Sequence, residues 1–184
     1  MNINNPIVLC LENPKGVDKH IAYIQTKLKN LTWLDYAFGK AIAIYDKEER
    51  IPKVPTGDGE YFSVMPNDAQ IAFSFFYPKN PLSPVEGEEP MQGTYLYTQN
   101  TDLIIWCNLK KIDVDNYALG EQLKDEVLVL LTSLRGTVVR GVISDDVKEV
   151  YSGWTTETVQ RDVLMYPYYA MKFELELTFK LDCN

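Results

Sequence analysis

Met171-Lys172-Phe173-Glu174-Leu175-Glu176-Leu177-Thr178-Phe179-Lys180-Leu181-Asp182 alternates apolar and polar residues without a break. Successive side chains of a strand point to opposite faces, so the segment is predicted to be a β-strand with one buried and one wet face. Alternation this strict implies an antiparallel sheet covered by helices on one side only, its other face open to solvent or to a neighbouring subunit. The covering helices are visible upstream. Val17, Ile21, Ile24, Leu28 and Leu31 follow the spacing of one helical face, beginning after the breakers Asn13-Pro14-Lys15-Gly16. Asp18 in the first turn and Lys27 and Lys29 near the other end suit the helix dipole. A second helix presents Leu119, Leu123, Val127, Leu130 and Leu134, a stripe widened by Val129 and Leu131. Asp113 or Asp115 is its expected cap, and Gly136 is placed to accept a left-handed conformation beyond its C-terminus.

The remaining segments read as strands and turns. Ala41 to Tyr45 carries large apolar residues at Ile42 and Ile44, and Lys47 to Arg50 is a charged turn. Ile51 to Glu60 holds two prolines and two glycines. Within it, Thr56-Gly57-Asp58-Gly59 is a hairpin-like turn leading into Tyr61 to Met65. Ile71 to Tyr77 is an aromatic-rich strand, and Leu103-Ile104-Ile105-Trp106-Cys107 has the length and branching of a buried central one. Thr137 to Ile143 forms another strand, after which Ser144-Asp145-Asp146 caps a short helix ending near Gly153. Between Tyr77 and Gly93, Pro78, Pro81, Pro84 and Pro90 punctuate an acidic run containing Glu86, Glu88 and Glu89. Residues 78-93 are therefore expected to be an extended, exposed Pro-rich loop or arm that contacts a partner or is mobile, with an inert insertion as the alternative. The fold class that results is α+β: a mainly antiparallel sheet with two principal helices packed on one face, plus that long loop.

The chain has 184 residues, which fits a single domain over 1-184. Its hydrophobic fraction of 46% is enough to offset the conformational entropy of folding. Eighteen basic residues face 26 acids, a balance of −8, so the bulk surface repels phosphate and does not favour tight nucleic-acid binding. An acidic wall is nevertheless what a channel needs if DNA is to slide through it. Cys10, Cys107 and Cys183 are widely separated, show no metal-ligand spacing and have only His20 to join them, so no zinc site is expected. The odd cysteine count, and a first stretch from Met1 to Leu11 without a basic leader pattern, point to a reducing compartment. No run approaches the roughly 18 apolar residues of a membrane span.

Catalytic chemistry is hard to assemble from this sequence. His20, the single histidine, falls on the polar side of the first helix beside Lys19, away from any nucleophile pattern. No G-x-x-x-x-G-K-[ST] loop occurs, and Gly136-Thr137-Val138-Val139-Arg140-Gly141 has the wrong residues for a dinucleotide fingerprint. The acid pairs Asp145-Asp146, Glu48-Glu49 and Glu88-Glu89 read as a helix cap and two solvated loops, since adjacent acids seldom converge on one point. No catalytic, cofactor-binding or metal-binding residue is nominated, and no cofactor or enzymatic activity is expected. Twelve tyrosines remain as the oddity, with Tyr166-Pro167-Tyr168-Tyr169 just before the closing strand. Aromatics with a polar tip suit protein interfaces, so this cluster and the arm residues Pro81, Pro84 and Glu88 are the candidate interface, the alternative for the cluster being a strand entry packed on the sheet edge.

The order of a helix, a β-rich middle, an amphipathic helix and a closing strand entered through a Pro-aromatic pair resembles phage tail-terminator and head–tail connector proteins. Val17 to Leu31, Leu103 to Leu134 and Asp162 to Phe179 carry the likeness, above all Tyr166-Pro167-Tyr168-Tyr169-Ala170-Met171-Lys172-Phe173. The asparagine-, lysine- and tyrosine-rich style is similar to neck ring proteins of crAss-like gut phages. The resemblance implies a structural virion protein, assembled in the host cytoplasm. Copies of itself would form a ring in the phage neck, stacked against adjacent portal, neck or tail proteins. DNA would pass through the ring without being bound specifically, and no membrane would be involved. The segment Lys47 to Gly93 is longer than the simplest terminators need, which leaves the ring's position and copy number open. A non-viral intracellular ligand- or protein-binding module of α+β fold is the alternative, and an enzyme using acids at a cleft is a third.

Overall fold

The computed structural model describes residues 7–8, 12–57, 59–79, 81–85, 94–115, 119–157 and 159–182. In chain order the elements are β1 (Ile7–Val8), α1 (Val17–Leu28), β2 (Tyr36–Lys40), β3 (Ile42–Asp46), β4 (Glu49–Gly57), β5 (Glu60–Ser63) and β6 (Ala72–Pro78). There follow β7 (Ser83–Pro84), β8 (Thr94–Asn108), α2 (Leu109–Ile112), α3 (Leu119–Thr132), β9 (Thr137–Ser144), α4 (Val147–Val150), a 3-10 turn at Arg161–Leu164, and β10 (Tyr168–Asp182). The architecture is α+β and mainly antiparallel.

The large sheet runs β1-β2-β6-β8-β10-β9, parallel where β1, β2 and β6 meet and antiparallel beyond. Its axis is the β8–β10 ribbon, 15 residues in each strand and paired from Tyr168↔Asn108 to Asp182↔Thr94. At about 3.3 Å per residue this ribbon spans roughly 50 Å, long for a strand pair. The alternation of the closing strand does what period-two patterning requires: Met171, Phe173, Leu175 and Leu177 all face the helices. Ile21, Ile24 and Leu28 of α1 and Leu119, Leu123, Val127 and Leu131 of α3 close over them and over Leu103 and Ile105.

The opposite face is not simply open, contrary to what the alternation implies. Strands β3, β4 and β5 form a second antiparallel sheet, and with α4 they cover one half of that face. Val54, Val64, Val147, Val150, Tyr151 and Trp154 pack there on Phe73, Phe75, Ile104, Trp106 and Ala170. The reason lies in β6 and in the second half of β8, whose side chains are apolar on both faces and so need two covers. Arg50 ties the small sheet down. Its guanidinium lies 4.6 Å from the Trp154 ring and donates to Tyr77 Oη (2.6 Å) and to the Gly153 carbonyl (2.7 Å).

Several local expectations change. Ile51 to Glu60 is mostly strand, despite Pro52 and Pro55. Pro52 pairs with Ala43 of β3 at a point where β5 has ended, and Pro55 pairs with Tyr61 of β5 where β3 has not begun. Pro55 thus has a strand on one side only, whereas the Pro52 carbonyl accepts from the Val64 N–H just past β5, and the Val64 carbonyl that Pro52 cannot serve accepts from Tyr151 Oη at 3.0 Å. A short α2 precedes Asp113 and Asp115, opened by Asn108, whose side chain accepts from the N–H groups of Lys110 and Lys111, and Asp113 lies at its C-terminal end. The residues just before α3, 116–118, lie outside the described ones. The Asp145-Asp146 reading holds, since the Asp146 side chain accepts from the N–H groups of Lys148 and Glu149 at the start of α4. Within the expected arm, Ser83 and Pro84 form β7, which pairs with Thr98 and Tyr97 at the far end of β8.

Candidate interaction surfaces

The half of the sheet face that the small sheet leaves uncovered carries charge. Asp102 of β8 lies directly opposite Glu174 of β10, two like charges that would repel if left alone. Lys79, immediately after β6, lies between them, its Nζ 2.9 Å from a carboxylate oxygen of each. Arg140 of β9 forks onto Glu176 with Nη2 3.1 and 3.0 Å from the two carboxylate oxygens. Lys172, nearly buried, stands next along β10. Lys79, Asn100, Asp102, Arg140, Glu174 and Glu176 line a hollow of about 300 Å³ on this face. Burial pushes the Asp102 carboxyl above its ordinary value even though Lys79 pulls the other way. The hydrogen bond from Lys79 holds Glu174 below its own. Burial works against the Lys79 ammonium, but Asp102 and Glu174 outweigh it and its pKa rises.

Lys79→Ala is therefore expected to destabilise the chain by about 2 kcal/mol at neutral pH. That is less than breaking a fully buried pair costs, because Lys79 itself is partly solvated. It leaves Asp102 buried and unpaired, so the folded state of the variant holds the Asp102 proton more firmly than the unfolded chain does. Stability of the variant then falls as pH rises through the window above the ordinary aspartate value, and the deficit narrows as the solution is made acidic. Urea titrations of both chains between pH 4 and pH 7 check this, and a deficit independent of pH would refute the pairing.

The tyrosine cluster lies at the other end of the ribbon. Tyr168 and Tyr169 open β10 and point to opposite faces: Tyr168 stacks on Trp106 at 5.4 Å, while Tyr169 is buried under the helices beside Gly120. Tyr166 is exposed, with Lys110 Nζ 5.8 Å from its ring centre, and Pro167 follows it through a cis peptide bond. Of the four, Tyr166 alone presents a large free surface, so the cluster is mostly a packed entry into the strand. Nearby, Asn108 and Lys111 both engage Asp68, and the hydrogen bond from Lys111 holds the Asp68 carboxyl below its usual range. A cleft of about 520 Å³ opens between the 63–69 segment and residues 155–163, lined by Ile51, Met65, Pro66, Asp68, Val159 and Val163 among others.

Pro81 and Pro84 are exposed, beside the opposite end of β8. Ten residues of strand, roughly 33 Å, separate the Thr98 end from Asn108, so the two halves of the expected interface do not meet within one chain. Glu88 lies outside the described residues. His20 is less solvated than its helix position implies: its Nε2 lies 3.0 Å from Thr137 Oγ1 across to β9, and burial lowers its pKa. Cys107 is buried in the sheet, where burial pushes the thiol up. Among the described residues no group of three His, Cys, Asp or Glu side chains could hold a metal ion, and no helix is long and apolar enough to cross a membrane. Sequence reasoning missed the charged ladder altogether, because its members come from four separate segments and none stands out locally. No family model matches the chain, and no curated protein matches it either.

Proposed function

We propose that the chain is a structural subunit of a phage neck, a connector or terminator whose copies form a ring between portal and tail through which DNA passes. The observation that carries this reading is the uncovered half of the large sheet. Among the described residues, the small sheet leaves part of β8, β10 and β9 without a cover on that side. That surface is a row of alternating charges in a molecule whose balance is −8. Such a row suits a neighbour's polar surface, or a lumen that holds phosphate neither tightly nor at a fixed register. The element order and the Tyr166-to-Phe173 entry into the closing strand add the family resemblance.

The decisive experiment is the mass of the purified chain by light scattering over a range of concentrations, followed by imaging of any large species. A closed ring with a central opening is the expected result. A strict monomer of 21.1 kDa under all conditions, alone and with neighbouring neck proteins, would overturn the reading. The second reading, an intracellular binding module, would then rest on the cleft between residues 63–69 and 155–163, and ligand screening would be directed there.

A further inference from the structure

Strand β6 pairs with β8 only from Ala72↔Cys107 to Pro78↔Thr101, so the earlier part of β8 has an edge that β6 does not reach. The residues that follow β6 turn back and cover it. The Lys79 N–H donates to the Asn100 carbonyl at 3.0 Å, and the Val85 N–H donates to the Leu96 carbonyl at 3.1 Å. Between them β7 pairs Ser83 with Thr98 and Pro84 with Tyr97. What holds this cover differs in kind from what holds its neighbours. Pro81, Leu82, Ser83 and Pro84 are all exposed, Leu82 at 43%, so they bury no apolar side chain. β6 and the second half of β8, by contrast, place Phe73, Phe75, Phe76, Ile104 and Ile105 in the core. A few backbone bonds at a solvated edge cost little to open, whereas parting buried strands costs the whole fold. The strongest tie of the cover is at its start. Lys79 Nζ lies 2.9 Å from a carboxylate oxygen of Asp102 on β8 and of Glu174 on β10, so one side chain clasps two strands.

We propose that Lys79 and residues 81–85 form a strap that opens from β8 as a unit while the rest of the fold stays closed, with the Lys79 contacts to Asp102 and Glu174 as its latch. The inference goes beyond the ring reading and does not depend on it. Closed, the strap occupies the carbonyls of Leu96 and Asn100 and blunts an edge that a long strand would otherwise leave free. Open, it bares that edge and releases both carboxylates of the charged ladder. The β8 edge is thus conditional: it becomes available for pairing only after the latch has let go.

Amide hydrogen exchange of the full chain, read residue by residue by NMR at rising urea concentrations below the unfolding transition, tests this. The Lys79 and Val85 amides report the strap, and the Ile105 amide, in β8 between β6 and β10, reports the core. The strap amides are expected to be protected at least about 100-fold less than Ile105, with little dependence on urea because their opening exposes little surface. In Lys79→Met, which keeps the side-chain length and removes the charge, protection of Val85 should fall by a further factor of about ten. Glu174→Gln weakens one arm of the latch and should act in the same direction with a smaller effect. If Lys79 and Val85 share the protection and urea dependence of Ile105, the segment opens only with the whole chain and the strap is refuted; that comparison uses the unmodified chain alone and needs no variant to fold. If the strap amides open independently but neither substitution changes Val85, the latch is refuted.

Discussion

Trp106→Ala is expected to cost about 4 kcal/mol, a large share of what a chain of this size holds in reserve. Trp106 is fully buried, and its indole lies between Phe73 and Tyr168 with ring centres 5.4 Å away on either side. It sits where the small sheet closes on the large one, in the cluster that includes Val54, Val64, Tyr151 and Trp154. Removing the ring leaves a void between two sheets, and paired strands cannot collapse into it as a loose side chain can. Trp106→Phe separates the causes. The indole N–H is buried without a hydrogen-bond partner among the described residues, so the smaller ring gives up area but also removes an unsatisfied donor. That variant should lose only about 1 kcal/mol. Urea unfolding followed by circular dichroism measures both. A Trp106→Ala loss under about 1.5 kcal/mol would mean that the small sheet does not pack on Trp106 as described.

The same residue explains what is legible in the sequence and what is not. Strict alternation identifies β10 correctly, because its apolar positions from Met171 to Leu177 meet a single cover, the two helices. The run Leu103 to Cys107 is readable as a buried strand, yet the one-sided sheet inferred from β10 leaves out its second cover. Leu103, Ile105 and Cys107 face the helices, while Ile104 and Trp106 face the small sheet. A continuous apolar run already states that both faces are covered, and it contradicts a sheet with one side open. The first half of β8, Thr94 to Asp102, escapes sequence reading because polar residues fall on both of its faces, Asn100 and Asp102 on the charged one and Gln99 and Thr101 opposite Leu177 and Leu175 on the helix side, which leaves no apolar period to detect. β4 escapes it because prolines normally argue against a strand; Pro55 is harmless where β3 has not begun, and Pro52 because Tyr151 Oη supplies the Val64 carbonyl in its place.

Interface residues are less legible than the fold. Tyr166 stands exposed as its chemistry implies, but Tyr169 is spent on the core, and the tyrosine count alone does not distinguish them. The Lys79, Asp102, Glu174, Arg140 and Glu176 ladder depends on register, which a one-residue slip would dissolve. Register is set by long-range pairing, so no local window of sequence contains it. The β9 edge is likewise invisible, since Thr137 to Ser144 reads as a strand without revealing that it is the last in its sheet.

Gly136→Ala is expected to be the second most damaging change, at about 3 kcal/mol. Gly136 ends the α3 segment with φ 75, a left-handed conformation that costs an alanine about 1 kcal/mol. The larger part is contact. A Cβ at this position would lie 2.6 Å from the Thr178 carbonyl oxygen and 3.0 Å from His20 Cε1. The Thr178 N–H also donates to the Gly136 carbonyl at 2.8 Å, so the clash falls on a backbone contact that β10 cannot relieve by turning a side chain. Gly57→Ala gives the comparison, because Gly57 also has positive φ, 107, but nothing lies within 4 Å of its Cβ position. It should show the conformational cost alone, about 1 kcal/mol. His20 offers an independent readout. Its pKa is lowered by burial, so the folded chain binds its proton less readily than the unfolded chain does. The stability this contributes is present above the ordinary histidine value and is lost as pH falls through the folded one. If the methyl group added by Gly136→Ala pushes the imidazole off Thr137 and into solvent, the His20 titration seen by NMR should move up towards the ordinary value and that acid-side loss should shrink. An unmoved His20 with the full stability loss would place the strain on β10 alone.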